Sequence, residues 1–190
     1  MYRDLTQGNI TKTILLFALP MIAGNLLQQC YNIADTLIVG QFLGKDALAA
    51  VGSAYTLMTF LTSIFFGLSM GAGALFAIYH GQGDEYRLKA AIIHAFFFIL
   101  FITILLNIAV YLWINPILHF LNVPTEVYAL MRDYLWVIFA GITATFLYNF
   151  FSCLLRALGN STIPLLFLGI AAILNIILDL SFILVLHRCV

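Results

Sequence analysis

Five apolar runs, each longer than the ~20 residues that cross a bilayer, dominate this sequence: about 14–39, 54–79, 90–114, 134–155 and 163–186. Hydrophobic residues make up 64% of the chain and charged residues 8%, against about 25% charged in an ordinary soluble domain. A water-soluble domain of this size would lack the polar surface to cover such a core. In lipid every backbone polar group must find its partner inside the protein, and the alternation of a barrel strand is absent. The runs therefore predict an all-α integral membrane protein with five transmembrane helices.

The segments between the runs carry turn chemistry: Gly40 and Gly44, then Gly81 and Gly83, then Asn115-Pro116 and Pro124, then Gly159-Asn160-Ser161. The longest, 115–133, holds Ile117, Leu118, Phe120 and Leu121 and reads as a short helix along the membrane surface. Lys and Arg set orientation. With the N-terminus inside, Arg3, Lys12, Arg87, Lys89 and Arg156 are cytoplasmic, and Lys45, Arg132 and Arg188 are outside. The first run is too long, and too polar in its second half, for a cleavable signal peptide.

The net charge of zero offers no nucleic-acid footprint. Cys30, Cys153 and Cys189 share no C-x-x-C spacing, and the first two read as small apolar side chains. His80, His94, His119 and His187 have no metal-ligand spacing.

Two aspartates stand inside apolar runs, Asp35 in the first and Asp179 in the fifth. A carboxylate at the bilayer centre costs roughly 2.5–3.5 kcal/mol on insertion scales, so such residues are rare and functional by default. The first run also carries Asn25, Gln28, Gln29, Asn32 and Thr36, in steps of three or four residues that put them on one helical face with Asp35. Interhelical hydrogen bonds would account for one or two amides. A whole stripe ending in a carboxylate predicts a helix that lines a water-accessible cavity. Pro20 removes a backbone hydrogen bond near the start of this helix and predicts a bend, either a tolerated kink or a hinge.

Asn175 and Asp179 lie at i and i+4 on the fifth helix, an amide oxygen and a carboxylate one turn apart. Neighbouring helices would complete a hard-cation site, with sodium possible at Asn175 and Asp179. Either aspartate is placed to exchange a proton instead. The fourth run adds Thr145, Tyr148, Asn149, Ser152 and Arg156 at helical spacing, with Tyr134 in its first turn. Gly67, Ser69, Gly71, Ala72, Gly73 and Ala74 form a small-residue surface suited to close helix packing. The sequence Gly81-Gln82-Gly83-Asp84 spells G-x-G-D, as in intramembrane aspartyl proteases. Its hydrophilic surroundings, Glu85, Arg87 and Lys89, favour a simple helix end.

Several stretches together resemble the multidrug and toxic compound extrusion (MATE) family of transporters. They are 34–40 (ADTLIVG), 43–52 (LGKDALAAVG), 67–71 (GLSMG), the 81–84 turn, 156–164 (RALGNSTIP) and 174–179 (LNIILD). The resemblance runs over nearly the whole chain, in family order. It implies a non-enzymatic antiporter of the bacterial inner membrane, N-terminus cytoplasmic. Such a protein exports organic cations and other amphipathic compounds against an inward flow of sodium ions or protons, and needs no cofactor. Its fold has two six-helix lobes around a central cleft. Residues 1–190 would form most of the N-terminal lobe, with the C-terminal lobe missing, and are not expected to transport alone. By the same resemblance Asp35, Asn175, Asp179 and Tyr134 belong to cation or proton coupling, and Pro20 is the bend proline. From its helical face Asn149 joins Asn25, Gln28, Gln29 and Asn32 as a cavity-lining polar residue. A lipid-linked oligosaccharide flippase of related fold is the alternative, disfavoured by the scarcity of cations in the spans. A non-transporting truncation product is another alternative.

Overall fold

The computed structural model describes residues 10–42, 44–120, 123 and 125–181, with the side chains of residues 10, 39, 42, 45–47, 50, 126, 179 and 180 outside that description. Six helices follow one another: α1 (Ile10–Phe42), α2 (Gly44–Gly81), α3 (Glu85–Phe120), α4 (Thr125–Ala140), α5 (Ile142–Ala157) and α6 (Thr162–Leu180). Three contain stretches long and apolar enough to cross a membrane: Thr11–Ile38, Val51–Gly81 and Glu85–Phe120. The bent pair Val127–Ala140 and Ile142–Ala157 is long and apolar enough for a fourth crossing when taken as one span, and Thr162–Leu178 is a shorter apolar helix. The chain is therefore a multi-pass, all-helical membrane protein, as its composition predicts.

Two features add to the sequence reading. The apolar run 134–155 reads as one helix, but the structure breaks it at Gly141 with a bend of 46°. There the ladder tightens to three-residue steps: Gly141 N–H donates to Ile138 O at 2.9 Å, and Ala144 N–H to Gly141 O at 3.0 Å. The segment after Asn115 is helical to Phe120 and is set off from the rest of α3 by a kink, in keeping with the short helix expected there. Its backbone leaves helical geometry at Trp113 (φ −111°, ψ 18°), three residues before Pro116. A proline removes one hydrogen bond and crowds the preceding turn, which accounts for the kink. Beyond it, Leu118 is fully buried against α2 and α4.

The core has two storeys. One cluster joins Leu61 and Phe65 of α2, Val110 and Ile114 of α3, and Leu135 and Phe139 of α4. The other joins Phe76 of α2, Ile99 of α3, and Phe146 and Phe150 of α5. Between lipid-facing helices the drive to associate is close packing and hydrogen bonding, since lipid tails are as apolar as leucine. Gly73 serves that packing: a methyl built there would stand 3.4 Å from Cys153 Cβ, so α2 and α5 nearly touch at this point. Gly67 and Gly71 have no such neighbour within 4 Å. The expected small-residue seam is thus used at its C-terminal end.

The turns follow from local chemistry. Gly83 takes φ +71°, and the Asp84 carboxylate accepts from Arg87 N–H at 2.9 Å, capping α3. Asp84 thus serves as a half-buried helix cap in the turn between α2 and α3, not as a protease aspartate. At the other end α5 closes with Gly159 at φ +83°. Gly159 N–H donates to Arg156 O and Asn160 N–H to Leu155 O, the two bonds of a Schellman cap. Asn160 Oδ1 then accepts from Thr162 and Ile163 N–H, starting α6.

Candidate functional site

The site is assembled by the pairing of α1 with α6, which pack mainly on each other. Small residues allow the approach. A methyl on Gly24 would lie 3.6 Å from Leu165 Cδ1 and 3.8 Å from Leu168 Cδ2, and one on Gly169 would lie 3.7 Å from Leu27 Cδ2. The contacts advance along both helices together, so the helices run parallel. The same step along each, about 16 Å at 1.5 Å per residue, leads from Gly24 to Asp35 and from Leu165 to Ile176. Asp35 is therefore level with the Asn175–Asp179 turn. At about 100° per residue, Asp35 falls about 20° from Gly24 around α1, and position 179 about 40° from Leu165 around α6. Both positions share the faces on which the two helices meet.

Asn175 is half-buried, and its Oδ1 is fully buried with no hydrogen-bond partner among the described residues. Asp35 is half-buried. Asp179 belongs to α6, and its side chain lies outside the described residues. Tyr134 is elsewhere: its ring is half-buried against the cluster of α2, α3 and α4. The α1 stripe is mostly exposed. Asn25, Gln28, Gln29 and Thr36 face outward and Asn32 is half-buried. Asn32 Nδ2–H donates to Gln29 Oε1 at 3.2 Å, and the Thr36 hydroxyl to Asn32 O at 2.8 Å. An exposed row of amides in mid-membrane demands water or a second protein body as its cover. Pro20 lies inside α1, which is one helix from Ile10 to Phe42. Asn149 is half-buried and donates to Thr145 O at 2.8 Å, one turn back on its own helix.

The sequence reading passed over Asn107 and Tyr111. Asn107 Nδ2–H donates to Phe139 O at 2.7 Å, and the Tyr111 hydroxyl to Trp136 O at 3.0 Å. Both join α3 to α4 beside the break at Gly141. Their signal was present in the sequence: Thr103, Asn107 and Tyr111 recur every fourth residue of an otherwise apolar helix.

The chain is thus a multi-pass helical body with a polar stripe on α1 and the half-buried Asp35 on the helix that packs on α6. A family model described as MatE matches residues 20–180, and the chain belongs to that family of transporters. It is 35% identical over 95% of its length to the probable multidrug resistance protein YpnP of Bacillus subtilis. It is 28% identical over 92% of its length to the probable multidrug resistance protein NorM of Thermotoga maritima. Its fold superposes with a TM-score of 0.87, at 26% identity and over 94% of its length, on a multidrug resistance MATE family transporter of the MOP superfamily in an outward-facing conformation. The chain spans about 40% of the length of the curated relatives it matches: 40% of YpnP and 37% of NorM. It also covers 40% of that solved structure.

Proposed function

We propose that this chain is the first lobe of a cation-coupled multidrug exporter of the bacterial inner membrane, with its N-terminus in the cytoplasm. Asp35, Asn175 and Asp179 hold the coupling ion, sodium or a proton, between α1 and α6. The observation that carries the reading is Asn175 Oδ1. A buried carbonyl oxygen without a donor costs about 1–3 kcal/mol, a penalty that an arriving cation or protonated carboxyl removes. Sodium fits an amide oxygen flanked by carboxylates because hard cations take oxygen ligands. The stripe of Asn25, Gln28, Gln29 and Asn32 lines the central cleft, closed on its far side by a second lobe. Asn149 supplies a polar group from α5. The cargo is an organic cation or amphipathic compound, bound by amides and apolar surface. Ion binding favours one of two lobe arrangements, and only a differential affinity of this kind lets an ion gradient drive export.

The test is a two-lobed protein carrying this lobe, reconstituted in vesicles under an imposed sodium or proton gradient. Asp179→Asn is expected to insert normally and to lose gradient-driven movement of a cationic dye. Undiminished dye movement in that variant would overturn the reading.

A further inference from the structure

We infer that the lobe contains a joint at mid-height, with Gly141 as its pivot and the Asn107 side chain as its latch. Four observations converge on one level of the fold. The α4–α5 pair is bent by 46° at Gly141, near the middle of its crossing. The core divides just beyond it: Phe139 of α4 and Ile142 of α5 belong to one buried cluster, while Phe146 and Phe150 of α5 belong to the other. On α2 the same division falls between Phe65 and Phe76, and the small residues buried in the stretch between them are Ser69 and Gly73. On α3 it falls between Ile99 and Val110, the stretch that holds Thr103 and Asn107.

Asn107 explains how a broken helix persists inside a membrane. In a continuous helix Phe139 O would accept from Thr143 N–H, four residues on. Here it accepts from Asn107 Nδ2–H at 2.7 Å. Lipid cannot satisfy a freed carbonyl, so a break survives only where the protein supplies a donor. Tyr111 reinforces the connection one turn further, with its ring centroid 4.6 Å from that of Trp136. Two packed storeys, separated by a layer of small and polar residues, move as bodies more readily than either deforms within itself. With the latch closed α4 is held at its bend. With it open, Phe139 O can return to Thr143 and the pair straightens, tilting α4 over the inner storey. This joint does not depend on ion coupling at α1 and α6.

The test uses the 190-residue chain in lipid nanodiscs, with Cys30, Cys153 and Cys189 replaced by alanine. Spin labels at Leu130 of α4 and Ile93 of α3, both exposed, report the distance between storeys. The parent should give a narrow distribution. Asn107→Leu should broaden it or displace it by several ångströms, and Asn107→Gln, which keeps a donor, should restore it. Thr103→Val is the control, because among the described residues the Thr103 hydroxyl bonds Ile99 O of its own helix. Gly141→Ala is the second variant, since its methyl would press on Ile138 O at 3.3 Å. It decides the matter if Asn107→Leu fails to fold. A parent-like distribution in Asn107→Leu and Gly141→Ala, or in Gly141→Ala alone should Asn107→Leu not fold, overturns the joint.

Discussion

Gly24 of α1 lies beneath Leu165 of α6, close enough that a methyl added to the glycine would stand 3.6 Å from Leu165 Cδ1. Together with Leu27 against Gly169, this contact fixes the two helices as parallel neighbours. It thereby sets Asp35 level with Asn175 and Asp179.

That register is open to direct test. Gly24→Cys with Leu165→Cys, in a chain whose native cysteines are replaced, should form a disulfide on mild oxidation. Gly24→Cys with Leu178→Cys, far along α6, should not. Equal cross-linking of both pairs, read by mobility on a gel, would remove the basis for the site.

Close packing of α2 on α5 makes a second prediction. Gly73→Leu forces bulk against the Cys153 backbone, whose oxygen a methyl there would approach to 3.5 Å. Overpacking of this kind destabilises by about 1–3 kcal/mol. Gly71→Leu, with open space beside it, should cost much less. Thermal unfolding in detergent compares the two.

Much of the fold was legible because the bilayer restricts the choice. A run such as 54–79 admits one solution, and Gly83 and Gly159 stand where the turns need a positive φ. The stripe from Asn25 to Asp35 declared itself by spacing. The break at Gly141 did not, because a lone glycine in an apolar helix is usually tolerated. Its bend is held by Asn107, distant in sequence, and no local pattern reveals such a contact. The short helix expected after Asn115 is present, set off from the rest of α3 by the kink at Trp113. Pro116 kinks α3 without ending it, since Leu118 finds burial against α2 and α4. Tyr134, read as part of the coupling site, sits against the α2–α4 cluster, and only the tertiary packing shows this.

The α5–α6 turn gives a third prediction. Asn160→Ala removes the oxygen that caps α6, at 3.2 and 3.1 Å from two backbone nitrogens. Loss of an N-cap costs about 1 kcal/mol, seen as a lower unfolding midpoint. Asn160→Asp keeps the acceptor and should retain most of the stability. Equal loss in both variants would show that the cap is not what matters.

The exposed stripe gives a fourth. Asn25 and Leu26 are adjacent and both exposed, with Leu26 at 62%, but only Asn25 belongs to the polar face. In a two-lobed protein, Asn25→Cys and Gln28→Cys should react quickly with a membrane-impermeant thiol reagent, and Leu26→Cys slowly. Equal rates at positions 25 and 26 would mean that the stripe does not line a cleft.

The central claim is that α1 and α6 bind the coupling ion at Asp35, Asn175 and Asp179, and the purified chain tests it without any transport assay. Its thermal unfolding midpoint is measured in sodium chloride against choline chloride at equal ionic strength, and again across pH, for the native chain, Asn175→Leu and Asp179→Asn. A ligand that binds only the folded form, at about 100 times its dissociation constant, stabilises by about 2.7 kcal/mol. Sodium or protons should raise the native midpoint, and both substitutions should abolish that response. A midpoint that responds to neither ion, or a response that survives both substitutions, contradicts the account.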